Sequence, residues 1–180
     1  MIGRDDERDE VSKITNKASR LPITENAQWV IPVVLVRTPS SHQFKKMEIL
    51  HHPDAPQAVG PYAQAIMAGG LVFCSGQTPL VPASMRIEAD NIEDQTRQVL
   101  ANLNTVLSSR GLSLADVVKT TVFLKNFADF GRMNAVYAAV FGLHRPARTT
   151  VEVSRLPLDA LVEIECVAAL PPAAQPAAAR

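Results

Sequence analysis

A chain of 180 residues is long enough for one domain with a substantial core and too short for two full ones. Its 18 basic side chains offset 18 acidic ones, so no global field draws in nucleic acid or an anionic membrane. The balance hides an asymmetry: residues 1–46 carry 8 Lys+Arg against 6 Asp+Glu, while from Met47 onward 10, only two of them lysines, face 12, a net of −2.

The chain opens without a basic segment leading into an apolar run and a small-residue cleavage site, which makes the cytoplasm the expected compartment. The charge run Asp5-Asp6-Glu7-Arg8-Asp9-Glu10 argues against an acid-poor transit peptide. Trp29 to Val36 is interrupted by Pro32 and falls far short of the roughly 20 apolar residues that span a bilayer. Residues 1–46 are expected to be a disordered or loosely attached extension, or an over-extended reading frame ahead of a native start at Met47. Residues 47–170 form the expected domain, and 171–180 an Ala/Pro-rich disordered tail.

From Ala65 the pattern becomes regular. Ala65-Ile66-Met67-Ala68 and Leu71-Val72-Phe73-Cys74-Ser75 flank Gly69-Gly70, whose freedom at positive φ suits a tight hairpin. The second strand runs into Ser75-Gly76-Gln77-Thr78-Pro79, a plausible pocket rim, since a glycine admits close approach and a proline ends pairing. Asp90, with Glu93 three residues on, resembles a capping box, and Ile92, Val99, Leu100, Leu103, Val106 and Leu107 recur at helical spacing up to Gly111, predicting a helix over about 91–110. Val117 to Leu124 is rich in β-branched residues and reads as a mostly buried strand. Asp129 is the expected cap of a second helix with Phe130, Met133, Tyr137, Val140 and Phe141 as its buried stripe, Gly142 at its end and Asn134 at the stripe's edge.

Two further strands close the domain. In the first, Arg148, Thr150 and Glu152 share one face and Val151 and Val153 the other; in the second, Glu163 and Glu165 oppose Val162, Ile164 and Cys166. Charges planted on strands with a core face are either a solvated surface or the lining of a pocket. Paired as a hairpin around Leu156-Pro157-Leu158-Asp159, these strands would set Glu163 about 10 to 13 Å from Arg148 along the sheet, a span that the pocket alternative would make the two ends of one site. Cys74 and Cys166 sit in apolar runs and are expected as buried thiols. His51-His52 has no third ligand at a metal-site spacing, so no metal is expected. The order strand, strand, helix, strand, helix, strand, strand predicts a single sheet with both helices on one face. The uncovered apolar face then predicts a subunit interface in a closed homo-oligomer.

Five blocks in order, Gly60-Pro61-Tyr62-Ala63-Gln64, Cys74-Ser75-Gly76-Gln77, Val118 to Lys125, Asn134-Ala135-Val136-Tyr137, and Pro146-Ala147-Arg148 through Glu163-Ile164-Glu165, resemble the RidA (YjgF/UK114) family over about Pro53 to Leu170. The resemblance implies a chorismate-mutase-like α+β fold (a single sheet with two helices on one face) and a homotrimer with sites between subunits. It implies hydrolytic deamination of reactive enamines and imines of the 2-aminoacrylate or 2-iminobutanoate type to 2-keto acids and ammonia, without metal or organic cofactor. By the same match Arg148 anchors the substrate carboxylate, Glu163 orients and deprotonates water, and Tyr62 and Ser75 complete the catalytic set, with Gly76, Asn134 and Thr150 binding substrate. Three departures stand out. Thr150 occupies a position where cysteine is frequent, Ala63 one where serine is frequent, and the segment from Phe141 to Arg148 is about three residues short. The first 46 residues have no counterpart in the family. Two other functions compete with the deaminase: a ribonuclease or translation inhibitor of the L-PSP type, disfavoured by the lysine-poor acidic domain, and a non-catalytic metabolite-binding or chaperone-like trimer.

Overall fold

A computed structural model describes residues 47–171; the expectations for residues 1–46 and for 172–180 of the tail lie outside the described residues. Among these residues the order is β1 (Glu48–Leu50), β2 (Ala65–Ala68), β3 (Leu71–Gln77), β4 (Leu80–Val81), β5 (Arg86–Ile87), α1 (Ile92–Ser108), β6 (Val117–Leu124), α2 (Phe130–Phe141), β7 (Ala147–Glu152) and β8 (Val162–Ala169). Six strands form one mixed sheet in the order β1-β2-β3-β8-β6-β7, and β4 and β5 make a small separate ribbon. The α+β expectation holds. Sequence periodicity missed β1, β4 and β5, each only two or three residues long and too short to display a period.

The β2–β3 hairpin forms as expected, with Gly69 and Gly70 both at positive φ. α1 starts one residue later than the capping-box reading. Asn91, not Asp90, is the cap, its side chain accepting from the Asp94 N–H at 2.9 Å. Val99, Leu100, Leu103, Val106 and Leu107 are buried along its length and pack on the sheet through the interior residues of β3, β6 and β8. β6 is buried on one side only, through Val117, Thr120, Val122 and Leu124. The second helix is α2, but Asp129 makes no side-chain cap bond. Asn126 instead accepts from the Ala128 N–H and closes the short turn ahead of the helix. Val140 is exposed and Val136 is buried in its place, a shift of four residues that turns the apolar stripe toward α1 and the sheet.

The largest correction concerns β7 and β8, which are not a hairpin. β7 pairs with β6 in parallel, β8 pairs with β6 antiparallel, and β6 lies between them. Parallel pairing requires a crossover, and α2 supplies it by returning the chain from the end of β6 to its start. The β7–β8 connection then wraps the far end of β6, where the Val153 N–H donates to Leu124 O at 2.9 Å and the Lys125 N–H to Leu161 O at 3.0 Å. Buried side chains hold the connections: Gln95 of α1 accepts from the Leu161 N–H at 2.8 Å, and Asn102 donates to Thr78 O and Leu80 O at 3.1 and 2.9 Å.

The helix side of the sheet holds the core. On its other face, Ile49, Ile66, Phe73 and Val167 form one cross-strand row, with Phe73 47% exposed.

Candidate functional site

Arg148 stands on β7 opposite Thr120 of β6, which stands opposite Cys166 of β8. Thr120 and Cys166 are buried, so this row, Arg148 included, faces the helices. There Arg148 meets one face of α2, since its Nη2 donates to Asn134 Oδ1 at 2.8 Å. Its guanidinium carbon also lies 4.6 Å from the Tyr137 ring centroid and 5.7 Å from that of Phe130, within cation–π range. Phe130, Asn134, Tyr137 and Phe141 recur at spacings of four, three and four, so one stripe both builds the core edge and seats the arginine. The Tyr137 hydroxyl is tied to that of Thr120 at 2.8 Å, and burial pushes its ionisation up, so it stays neutral. The guanidinium is thereby fixed in plane, ready to receive a carboxylate on its free edge. Thr150, two residues along the same face, has a buried Oγ1 without a hydrogen-bond partner among the described residues.

Glu163 lies elsewhere. It stands opposite Phe123, and its chain neighbours Val162 and Ile164 are buried toward the helices, so Glu163 points to the helix-free face. Here β3 bulges. Cys74 opposes Cys166 and Gln77 opposes Ile164, leaving Ser75 and Gly76 against Glu165 alone. The Glu163 carboxylate occupies the space so opened, because a Cβ built on Gly76 would fall 2.0 Å from its Oε1. Burial first, and the charge of Glu165 second, raise the Glu163 carboxyl above the ordinary glutamate range. Ser75 is locked into the adjoining loop, its Oγ donating to Ala63 O at 2.7 Å and its N–H to Gln64 O at 3.0 Å. Tyr62, one residue before Ala63, is 48% exposed.

The structure therefore divides the residues singled out from the sequence into two groups. Asn134, Arg148 and Thr150 gather on the helix side of the edge strand, whereas Ser75, Gly76 and Glu163 gather on the open face, with Tyr62 in the loop beside them. Two strand spacings across and three residues along separate the Arg148 and Glu163 α-carbons by about 14 Å, on opposite faces of the sheet. The two-ended site of a β7–β8 hairpin does not exist within one chain. The thiols behave as expected: Cys74 and Cys166 are free and buried, and their mutual hydrogen bond, with burial, drives the Cys166 ionisation far upward. That is the reverse of what a nucleophile needs.

Comparison with known proteins agrees with this architecture. Residues 52–170 match the family described as Endoribonuclease L-PSP. The chain belongs to the L-PSP family, which is also the RidA family. A RutC family protein of Pyrococcus horikoshii is 51% identical over 67% of this chain and 96% of its own. The Reactive Intermediate Deaminase A, chloroplastic, of Arabidopsis thaliana is 46% identical over 69% of this chain and 67% of its own. The crystal structure of Escherichia coli TdcF with bound serine superposes with a TM-score of 0.65 at 40% identity, covering 68% of this chain and 98% of that one. Every candidate residue from Tyr62 to Glu163 falls inside the L-PSP match. Missed from the sequence were Tyr137 and Phe130 as supports of Arg148; the 130/134/137/141 spacing was the available signal, obscured because Asn134 was placed at the stripe's edge.

Proposed function

We propose that this L-PSP family member hydrolyses 2-imino acids and their enamine tautomers to 2-keto acids and ammonia, at sites completed between subunits of a homotrimer. The observation that carries the proposal is the Arg148 fork, held by Asn134 and Tyr137 on β7, an outermost strand of the sheet. A carboxylate anchor in that position can be approached from outside by a second copy, and the helix-free face bearing Glu163 and Gly76 is the surface a second copy would bring. One chain holds both halves without joining them. A ring of copies, each presenting one half to the next, joins every pair.

In such a site Arg148 takes the substrate carboxylate by two charge-assisted hydrogen bonds. Glu163 accepts a proton from a water as its oxygen bonds to the imine carbon, and the nitrogen takes up a proton, giving a carbinolamine. Glu163 returns its proton to the carbinolamine nitrogen, the C–N bond breaks with its electron pair leaving on ammonia, and loss of the hydroxyl proton leaves the keto group. A carboxyl raised by burial is a better-matched base near neutral pH than an ordinary one. Ser75 and the Gly76 backbone line the reacting centre, Tyr62 closes it, and Asn134 and Thr150 contact substrate from the arginine side. A protonated imine is already an electrophile, so the reaction draws on neither metal nor organic cofactor. The relative named Reactive Intermediate Deaminase A supports the activity, and the family member seen with serine supports a small amino-acid-like ligand. Among the described residues no helix is long and apolar enough to cross a membrane; a cytoplasmic location is part of the proposal, although the Arabidopsis relative is chloroplastic by name.

The test is complementation. Arg148→Ala and Glu163→Gln subunits, each inactive in accelerating 2-keto acid release from a threonine dehydratase reaction, are unfolded together and refolded at equal amounts. Random trimers carry intact halves at about a quarter of their sites, so about a quarter of the wild-type rate returns. No recovery sinks the inter-subunit arrangement, and no acceleration by the wild type sinks the deaminase. RNA cleavage by the wild type that vanishes with Arg148→Ala would favour the ribonuclease named in the family description. Keto-acid binding without turnover would favour a non-catalytic binder.

A further inference from the structure

Beside Arg148 the structure opens a cleft of about 320 Å³ between α2 and the segment that leads into β7. Tyr137, Phe141 and Pro146 give it apolar walls, and its basic lining is His144, Arg145 and Arg148, with no carboxylate among the described residues. That is unusual for this chain, in which 12 acidic side chains face 10 basic ones from Met47 onward. A cleft that holds two guanidinium groups and no carboxylate, in a slightly acidic domain, is built for an anion.

Arg148 alone can hold one carboxylate. Arg145 is a second guanidinium, and it is not adrift. Its Nη1 donates to Gly142 O and to His144 O, the latter at 2.9 Å. The His144 ring meets Val117 O at 2.6 Å through Nε2, which must therefore carry the proton, and this ties the same loop to the start of β6. The fork is thus pre-positioned with Nε and Nη2 outside those bonds. The loop is short: Arg145 stands three residues before Arg148, and even fully extended backbone keeps their α-carbons within about 11 Å.

We propose that the cleft selects 2-imino acids with a second carboxylate on the side chain. Arg148 binds the carboxylate next to the imine carbon, Arg145 binds the distal one, and the carbon chain between them lies on Tyr137, Phe141 and Pro146. This rests on the deaminase reading above and adds the substrate class to it.

The experiment compares imines generated in the assay by amino-acid oxidases from aspartate and glutamate with those from alanine and leucine, following 2-keto acid release with and without the protein. The expected result is a higher kcat/KM for the dicarboxylic imines. In Arg145→Ala the ratio of dicarboxylic to monocarboxylic kcat/KM falls about tenfold or more, as loss of a charge-assisted contact implies, and the fall lies in KM. Arg145→Gln retains donors for the two backbone carbonyls but no charge. It should behave as Arg145→Ala does; restoration of the ratio by Gln would show a loop brace and overturn the proposal, as would a wild type that prefers monocarboxylic imines. If the wild type turns over no imine at all, the deaminase reading fails separately, and calorimetric titration with 2-oxoglutarate against 2-oxobutanoate decides the cleft. Tighter 2-oxoglutarate binding that depends on Arg145 supports the inference, and equal binding refutes it.

Discussion

Glu163 shows how position on a sheet tunes one carboxylate against another of the same type two residues away. Glu165 is exposed, while Glu163 is half-buried against the bulge at Gly76, and burial with the neighbouring charge raises its carboxyl. As a base it must be ionised, so kcat/KM should fall as pH drops through the raised value, with the acid limb above the ordinary glutamate range. Glu163→Gln should lose the limb together with about 10²- to 10⁴-fold of the rate. The stability sign is opposite. A carboxyl whose folded value is raised contributes stability that is fully present below its unfolded value and lost as pH rises through the folded one. Thermal melts should therefore show Glu163→Gln gaining on the wild type as pH rises through that window. Gly76 separates placement from stability. A methyl there would fall 2.9 Å from the Glu163 Cδ as well as 2.0 Å from Oε1, so the carboxylate must swing away. Gly76→Ala should lower kcat by about 10²-fold, the scale of a 1 Å misplacement, with only a small change in Tm because the group that moves is a flexible chain end.

At the scale of elements, the β6-α2-β7 crossover matters most. α2 returns the chain so that β7 lies parallel to β6 at the sheet edge, and it carries the Asn134 and Tyr137 that hold Arg148 there. The same packing leaves Thr150 Oγ1 buried without a partner among the described residues, and a buried hydroxyl with no bond costs about 1 kcal/mol or more. Thr150→Val should raise stability by roughly that amount in urea unfolding. Asn102 is the opposite case, since its amide satisfies two carbonyls at the start of β4, those of Thr78 and Leu80. Asn102→Leu should cost about 1–3 kcal/mol by the same measurement, because both acceptors are left buried and unpaired. Asn102 did not stand out in the sequence. A polar side chain within an apolar helical stripe reads as a break in the pattern until the carbonyls it meets, more than 20 residues away, are known.

For the whole molecule, the row Ile49, Ile66, Phe73 and Val167, of which Ile49 and Phe73 are exposed, runs across the face that also carries Glu163. In the proposed trimer, covering that face and completing the site are one event. Phe73→Asp should leave a folded monomer by sedimentation velocity and circular dichroism, and the same preparation should have lost deaminase activity although no candidate site residue has changed. Association that survives the substitution would place the interface elsewhere.

Local chemistry made much of this chain legible in advance. The Gly69-Gly70 turn, the apolar periods of α1 and β6, the alternation of β7 and β8 and the L-PSP blocks all express short-range rules, and the α+β class follows from them. The pairing of β7 does not, because an alternating strand has the same pattern whether its neighbour is β8 or β6. Only the return path through α2 selects β6. That one non-local choice places Arg148 and Glu163 on opposite faces and moves the proposed chemistry from within a chain to the boundary between chains. Residue types were readable from the sequence; which of them can meet was decided by tertiary packing, because side-chain period sets the face and strand order sets the neighbour.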